Sequence, residues 1–248
     1  MLLVKRGVLR MLKRPFALAG GLGMSLFFLL VYNAGIGGVA FLPEFGGGGY
    51  LAFLLPMSLV SLAMGSAAGA GQSLHDDMVS GYFRRLYLSP VRRWTFVVAP
   101  VTADAVATGI GALGVILAGM LFGVPLSFGI ASVAGLLALS LLWGTTLSAL
   151  SAGVMVRTGS AEGARIVTTA VFPLIFLSTT FMPRDLITAR WLRIVSWANP
   201  VTYLLEGMRY LLAGTAPVEF FLTGLGLTGL AALAALLFAL TGTRRILV

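Results

Sequence analysis

Six long apolar runs, separated by short polar stretches, constrain this chain more than any other feature. A helix that crosses about 30 Å of hydrocarbon needs roughly 20 apolar residues at 1.5 Å each. Runs of that kind fall at about 16–39, 50–71, 95–122, 126–156, 166–182 and 220–241. Hydrophobic residues make up 58% of the chain and charged residues only 10%, against about 25% in an ordinary soluble domain. The pattern predicts an all-α integral membrane protein with six transmembrane helices in one domain, 1–248. The third and fourth runs are long enough to tilt or to project from the bilayer, and the fifth is short. The first run has the basic flank of a signal peptide. Its length, the lack of a convincing small-residue cleavage site and the five runs behind it make it a retained anchor.

The formal net charge is +9. In a membrane protein Lys and Arg first report orientation, so the excess is not a nucleic-acid footprint and no nucleic-acid partner is expected. Most of the basic residues flank the runs on one side: Lys5, Arg6, Arg10, Lys13 and Arg14, then Arg84, Arg85, Arg92 and Arg93, then Arg157 and Arg165, then Arg244 and Arg245. The opposite flanks carry none in their first two loops and Arg184, Arg190, Arg193 and Arg209 in the third. The positive-inside rule then places both termini and the stretch 72–94 in the cytoplasm of a multi-pass protein of the cell (inner) membrane.

Several chemistries are excluded by residue supply. There is no cysteine, and His75 is the single histidine, so disulfides, thiolate metal sites and multi-histidine metal sites are out. No Walker motif occurs, and the chain binds no ATP through a P-loop. The string GIGALG at 109–114 fits a dinucleotide fingerprint, but it lies inside an apolar run with no strand before it, where glycine serves close helix packing. Gly65 with Gly69, and Gly119 with Gly123, share that small-residue spacing.

Three stretches are informative. In 1–15, Leu2, Leu3, Leu9 and Leu12 alternate with Lys5, Arg6, Arg10 and Lys13 at near-helical spacing before Pro15, which reads as an amphipathic helix on the inner leaflet. The short, glycine-rich and almost uncharged loop at about 40–49 is an outer turn with no evident chemistry. Asp104 is the one acid well inside a run. It is either a pathway or gating residue, or a locally hydrogen-bonded acid near Thr102 and Thr108.

The loop 183–219 is too long and too apolar for a simple turn. Trp191, Leu192, Ile194, Val195 and Trp197 suggest a short surface helix that Pro200 ends. Val201–Leu212 suggests a second helix, with Glu206 and Arg209 three apart on one face. Together they read as a re-entrant helical hairpin in the outer leaflet, backbone that is tolerated there only where protein or water covers it. The alternative is an interfacial lid that plugs the bundle.

Two motifs, in order and spaced across nearly the whole chain, resemble the permease subunit of type-2 ABC exporters. The first is DMVSGYFRRLYLSPVRRW, where Asp77, Gly81, Arg85, Leu86, Ser89 and Pro90 fit. The second is FLSTTFMPRDL with the later ANPVTYLLEGMRYLL, where Pro183, Asn199, Pro200, Tyr203, Glu206 and Arg209 fit. Gly81 is followed by Tyr82, and Arg84 stands where many members carry an acid. This looks more like the drug and antibiotic-resistance branch than the polysaccharide exporters.

The resemblance implies a non-catalytic transport subunit. Two such permeases, identical or paired with a relative, form the pathway within membrane lipid. Separate cytoplasmic ATPase subunits carry ATP and Mg, and this chain binds no cofactor itself. The segment 75–90 becomes the coupling helix. Tyr82, Phe83, Leu86 and Tyr87 offer apolar anchors, and Asp76, Asp77, Arg84 and Arg85 orienting charge, the usual anatomy of a specific interface. The turn 156–165 is a second cytoplasmic touch-point. Asp104, Met182, Pro183, Asn199, Pro200, Tyr203, Glu206 and Arg209 are the pathway or gate residues. The implied substrate is a hydrophobic or amphipathic small molecule such as a drug. A lipid or lipid-linked glycan is the alternative within the family, and a secondary transporter the alternative outside it.

Overall fold

The computed structural model describes residues 49–81, 94–214 and 216–243, with scattered positions between 23 and 35. The described residues are helical, with no strand among them. Among the described residues four helices are long and apolar enough to cross a membrane: α1 (Gly49–Val79), α2 (Thr95–Leu121), α3 (Ile130–Thr158) and α7 (Val218–Gly242). Between them lie α4 (Ala161–Phe176), a 3-10 turn (Arg184–Leu186), α5 (Arg190–Ala198) and α6 (Pro200–Ala213).

Three of the long runs become helices within a few residues of their sequence limits. The run at 50–71 does not stop where its apolar character does. Helix α1 continues through His75, Asp76 and Asp77 to Val79, because no helix breaker stands there until Gly81, whose φ of 67° is left-handed. The stretch 72–94 therefore begins as the last turns of α1. The run at 166–182 yields α4, of 16 residues. That is about 24 Å of helix, shorter than a span. Ser178 and Thr180 end it by donating to the Ile175 carbonyl at 2.6 and 2.8 Å. The expected first span at 16–39 and the helix at 1–15 lie largely or wholly outside the described residues, although Ser25 and Ser58 exchange hydrogen bonds with each other's carbonyls at 2.7 and 3.2 Å.

Small residues set the helix register. Gly119 lies under Leu55, Gly111 under Leu62 and Gly69 under Asp104, which runs α2 antiparallel to α1. Gly71 meets Ser151 of α3 and Ala164 of α4. At Gly153 and Gly242, α3 and α7 approach closely, and Arg157 stacks on Phe238 and donates to the Thr241 hydroxyl at 2.9 Å. Gly123 has no such neighbour among the described residues; its φ of 82° places it in the turn after α2. The central core is made by Leu55, Leu59, Ile116, Leu139, Leu204 and Met208. Helix α1 is thus walled by α2, α3, α4 and α6. One end of the bundle carries Asp77, Thr95, Arg157 and Thr241; the other carries Tyr50, Leu121, Ile130, α5 and α6.

Candidate functional site

The short helices α5 and α6 are held at the second end by their own polar residues. Asn199 accepts from the Val201 backbone N–H at 3.0 Å, capping α6 with Pro200 in its first turn. Its amide donates to the Leu174 carbonyl on α4 at 2.6 Å. That carbonyl is open because the Ser178 N–H turns to Ile175 instead. The other end of α6 is tied to the start of α3 and the turn before it, where Ser132 and Ser127 donate to the Leu211 and Leu212 carbonyls at 2.5 and 2.9 Å. Tyr203 lies against Gly224, whereas Gly207 lies against Phe220 and Phe221. The start of α6 is therefore about one turn further along α7 than its middle, and the helix rises back toward the bundle's end.

Arg209 is the hub. It is 4% exposed. Its Nη1 donates to Glu206 Oε1 at 2.8 Å and to Thr179 Oγ1 at 3.1 Å. Its Nη2 donates to the Thr179 and Thr180 carbonyls at 2.7 and 3.3 Å, and its Nε to the Phe53 carbonyl at 3.3 Å. The guanidinium face lies 3.5 Å above the Phe53 ring. Thr179 also donates to Glu206 Oε1 at 2.7 Å. Three elements meet there: α1, the segment after α4, and α6. A guanidinium keeps its charge in proteins, and this buried charge is both paired and hydrogen-bonded, as burial requires.

Around the hub, the remaining expected residues take different places. Met182 is exposed and Pro183 buried at the start of the 3-10 turn. Tyr203 donates to the Trp197 carbonyl at 2.9 Å and packs on Phe220. Arg184 stacks on Trp197 at 3.7 Å, and Arg193 donates twice to the Ile187 carbonyl. Helix α5 turns Ser196 fully inward and leaves Trp191, Ile194 and Trp197 exposed together with Arg190 and Arg193.

Asp104 is not part of this cluster. It sits between α1, α2 and α3, with Ser148 Oγ donating to Oδ2 at 3.1 Å. Thr102 donates instead to the Ala99 carbonyl, so the acid's partner comes from another helix. At the first end of the bundle, Asp77 lies in the last turn of α1, Asp76 accepts from Gln72 at 2.9 Å, and Gly81 stops the helix. Tyr82, Phe83, Arg84, Arg85, Leu86, Ser89 and Pro90 lie outside the described residues.

Thr179, Thr180, Phe53 and Ser148 were not among the residues singled out from the sequence. Thr179 and Thr180 stand inside the second motif, FLSTTFMPRDL, and adjacent hydroxyls in an apolar run were the available signal. Phe53 contributes through its carbonyl and ring, which no motif marks.

Comparison with known proteins gives the family. Residues 1–213 match the family model described as "ABC-2 type transporter". The chain is 27% identical over 211 residues to the "Putative transport permease ycf38" of Cyanophora paradoxa, covering 84% of this chain and 72% of that one. A protein of the same name from Pyropia yezoensis is 26% identical over 216 residues, covering 84% and 72%. The "Daunorubicin resistance ABC transporter permease protein DrrB1" of Streptomyces coeruleorubidus is 27% identical over 221 residues, covering 88% and 75%. With its membrane-length helices and this match over most of its length, the chain belongs to the ABC-2 type transporter family and is a transport permease, not an enzyme.

Proposed function

We propose that this chain is the transmembrane subunit of an ABC exporter for hydrophobic or amphipathic small molecules. It works as a dimer, identical or with a related permease, in the cell membrane. Cytoplasmic ATPase subunits, which carry ATP and Mg, dock on the 72–94 segment, with Asp77 and Gly81 at its root and Tyr82–Pro90 at its contact surface. Both termini face the cytoplasm. The α5–α6 unit within 183–219 is the re-entrant hairpin of the outer leaflet.

One observation carries the reading. Helix α6 is 14 residues long, about 21 Å, too short to cross, yet it is packed into the bundle and tied through Asn199 and Arg209 to α4 and α1. Its neighbour α5 exposes Trp191 and Trp197, side chains that favour the membrane interface. The substrate class leans on the likeness to a daunorubicin resistance permease.

The test is efflux from cells that produce this chain with its ATPase subunit. Accumulation of daunorubicin and other amphipathic cationic drugs is compared with outward movement of fluorescent lipids. Lower drug accumulation, dependent on an intact ATPase, supports the reading. Lipid movement without drug efflux replaces the drug by a lipid, and neither without a detectable complex overturns the exporter assignment.

A further inference from the structure

We propose that Arg209 is the fulcrum of α1: it holds the outer turn of that helix still while the remainder swings from Pro56. This rests on the exporter reading, since something must push the cytoplasmic end. Helix α1 is one element of 31 residues, about 46 Å long. One end runs into the coupling segment at Gly81, and the other lies in the Arg209 cluster.

The grip is specific to that end. Arg209 takes the Phe53 carbonyl with Nε and covers the Phe53 ring, while Nη1 and Nη2 hold Glu206, Thr179 and Thr180. Release of this turn would leave the buried Nε without its acceptor and take the Phe53 ring off the guanidinium, while Glu206, Thr179 and Thr180 keep Arg209 in place, so this turn resists displacement. Helix α6, which carries Arg209, is itself tied at both ends through Asn199 and through Ser127 with Ser132.

Below the grip, α1 changes character. Pro56 lies three residues after Phe53, inside the helix. It supplies no N–H to the Ala52 carbonyl, and its ring crowds the preceding turn, which is where helices bend. Further down, α1 presents Gly69 to Asp104 and Gly71 to Ser151 and Ala164. These inner contacts run through small residues and terminal atoms, with Leu74 buried beside them; the larger core side chains Leu59, Leu62 and Met64 lie within about 12 Å of Pro56, where a bend moves them least. Asp77 is about 31 Å beyond Pro56. A tilt of about 10° at the proline then moves it roughly 5 Å, while Phe53 barely shifts.

Arg209 is a positioning residue in this account, and its test reads motion rather than stability. The complex with the ATPase is followed by hydrogen–deuterium exchange, nucleotide-free and trapped with ATP and vanadate. In the wild type, amides of 70–79 change exchange on trapping and those of 50–55 do not. In Arg209→Gln, the 50–55 amides exchange at least ten-fold faster and become nucleotide-dependent; Arg209→Lys, a point charge without the fork, lies between. Should Arg209→Gln fail to accumulate, Thr179→Val removes one hydroxyl from the cluster and gives the same direction with smaller size. A chain that binds no ATPase overturns the exporter reading. A complex that hydrolyses ATP, but whose outer turn responds to nucleotide as much as its inner end, overturns the fulcrum, as does a variant whose outer turn stays protected.

Discussion

Asp104 of α2 lies so close over Gly69 of α1 that a Cβ at position 69 would stand 2.7 Å from its Oδ1. The acid's other oxygen accepts from Ser148 of α3, so one carboxyl seals a three-helix contact. Gly69→Ala forces the carboxyl or the helix to move, and overpacking of this kind costs about 1–3 kcal/mol. The Asp104→Ala change removes the obstacle. The double variant is expected to be more stable than the sum of the two single effects, read as thermal unfolding midpoints of the detergent-solubilised chain.

The pair Arg209–Glu206 is expected to behave as a coupled unit. Arg209→Met leaves the Phe53, Thr179 and Thr180 carbonyls short of a donor, and Glu206→Gln leaves a buried cation without its counter-charge. Breaking a buried pair typically costs about 3–5 kcal/mol. The double variant Arg209→Met, Glu206→Gln should cost less than the two single changes added. Additivity, measured by the same unfolding assay, would show the two residues to be independent.

Asn199 joins two tasks that substitution can separate. Asn199→Ser keeps an acceptor for the Val201 N–H but loses the donor to Leu174. Asn199→Asp also keeps the cap, yet sets a carboxylate oxygen against the Leu174 carbonyl. Capping alone is worth about 1 kcal/mol. Aspartate is therefore expected to be worse than serine by a further 1 kcal/mol or so, and equal stability of the two would remove the tie to α4.

Among the described residues nothing stands within 4 Å of a Cβ at Gly81, and its φ is 67°, so its backbone conformation is what a substitution strains. A β-branched residue there costs about 1–2 kcal/mol, whereas asparagine visits this region readily. Gly81→Val should weaken co-purification of the ATPase, and Gly81→Asn should keep it. Equal loss in both would point to the side-chain space rather than the turn.

The long helices were legible because hydrocarbon thickness imposes a length that apolar runs record directly. The ends were less so. At α1 the apolar signal fades near Gly71, but the backbone stays helical until Gly81, since His75, Asp76 and Asp77 are compatible with helix. At α4 the apolar run continues past Phe176 while Ser178 and Thr180 pull the backbone out of the helix. The pairing of Glu206 with Arg209 follows from their spacing along a helix. Their attachment to Thr179 and Phe53 does not, because those partners are 30 and 156 positions from Arg209. Asp104 shows the same limit: its neighbours in sequence are Thr102 and Thr108, and its partners include Ser148, 44 positions away, and the Ala70 backbone.

The account as a whole requires the two ends of α1 to face opposite sides of the membrane, with the coupling segment inside and the α5–α6 hairpin outside. The absence of cysteine from the chain allows a direct measurement. Ser80→Cys and Asp185→Cys, both at exposed positions, are produced singly and treated with a membrane-impermeant maleimide before and after permeabilising the cells. The account predicts that Asp185→Cys labels in intact cells and Ser80→Cys only after permeabilisation. Labelling of Ser80→Cys in intact cells, with Asp185→Cys protected, would contradict it.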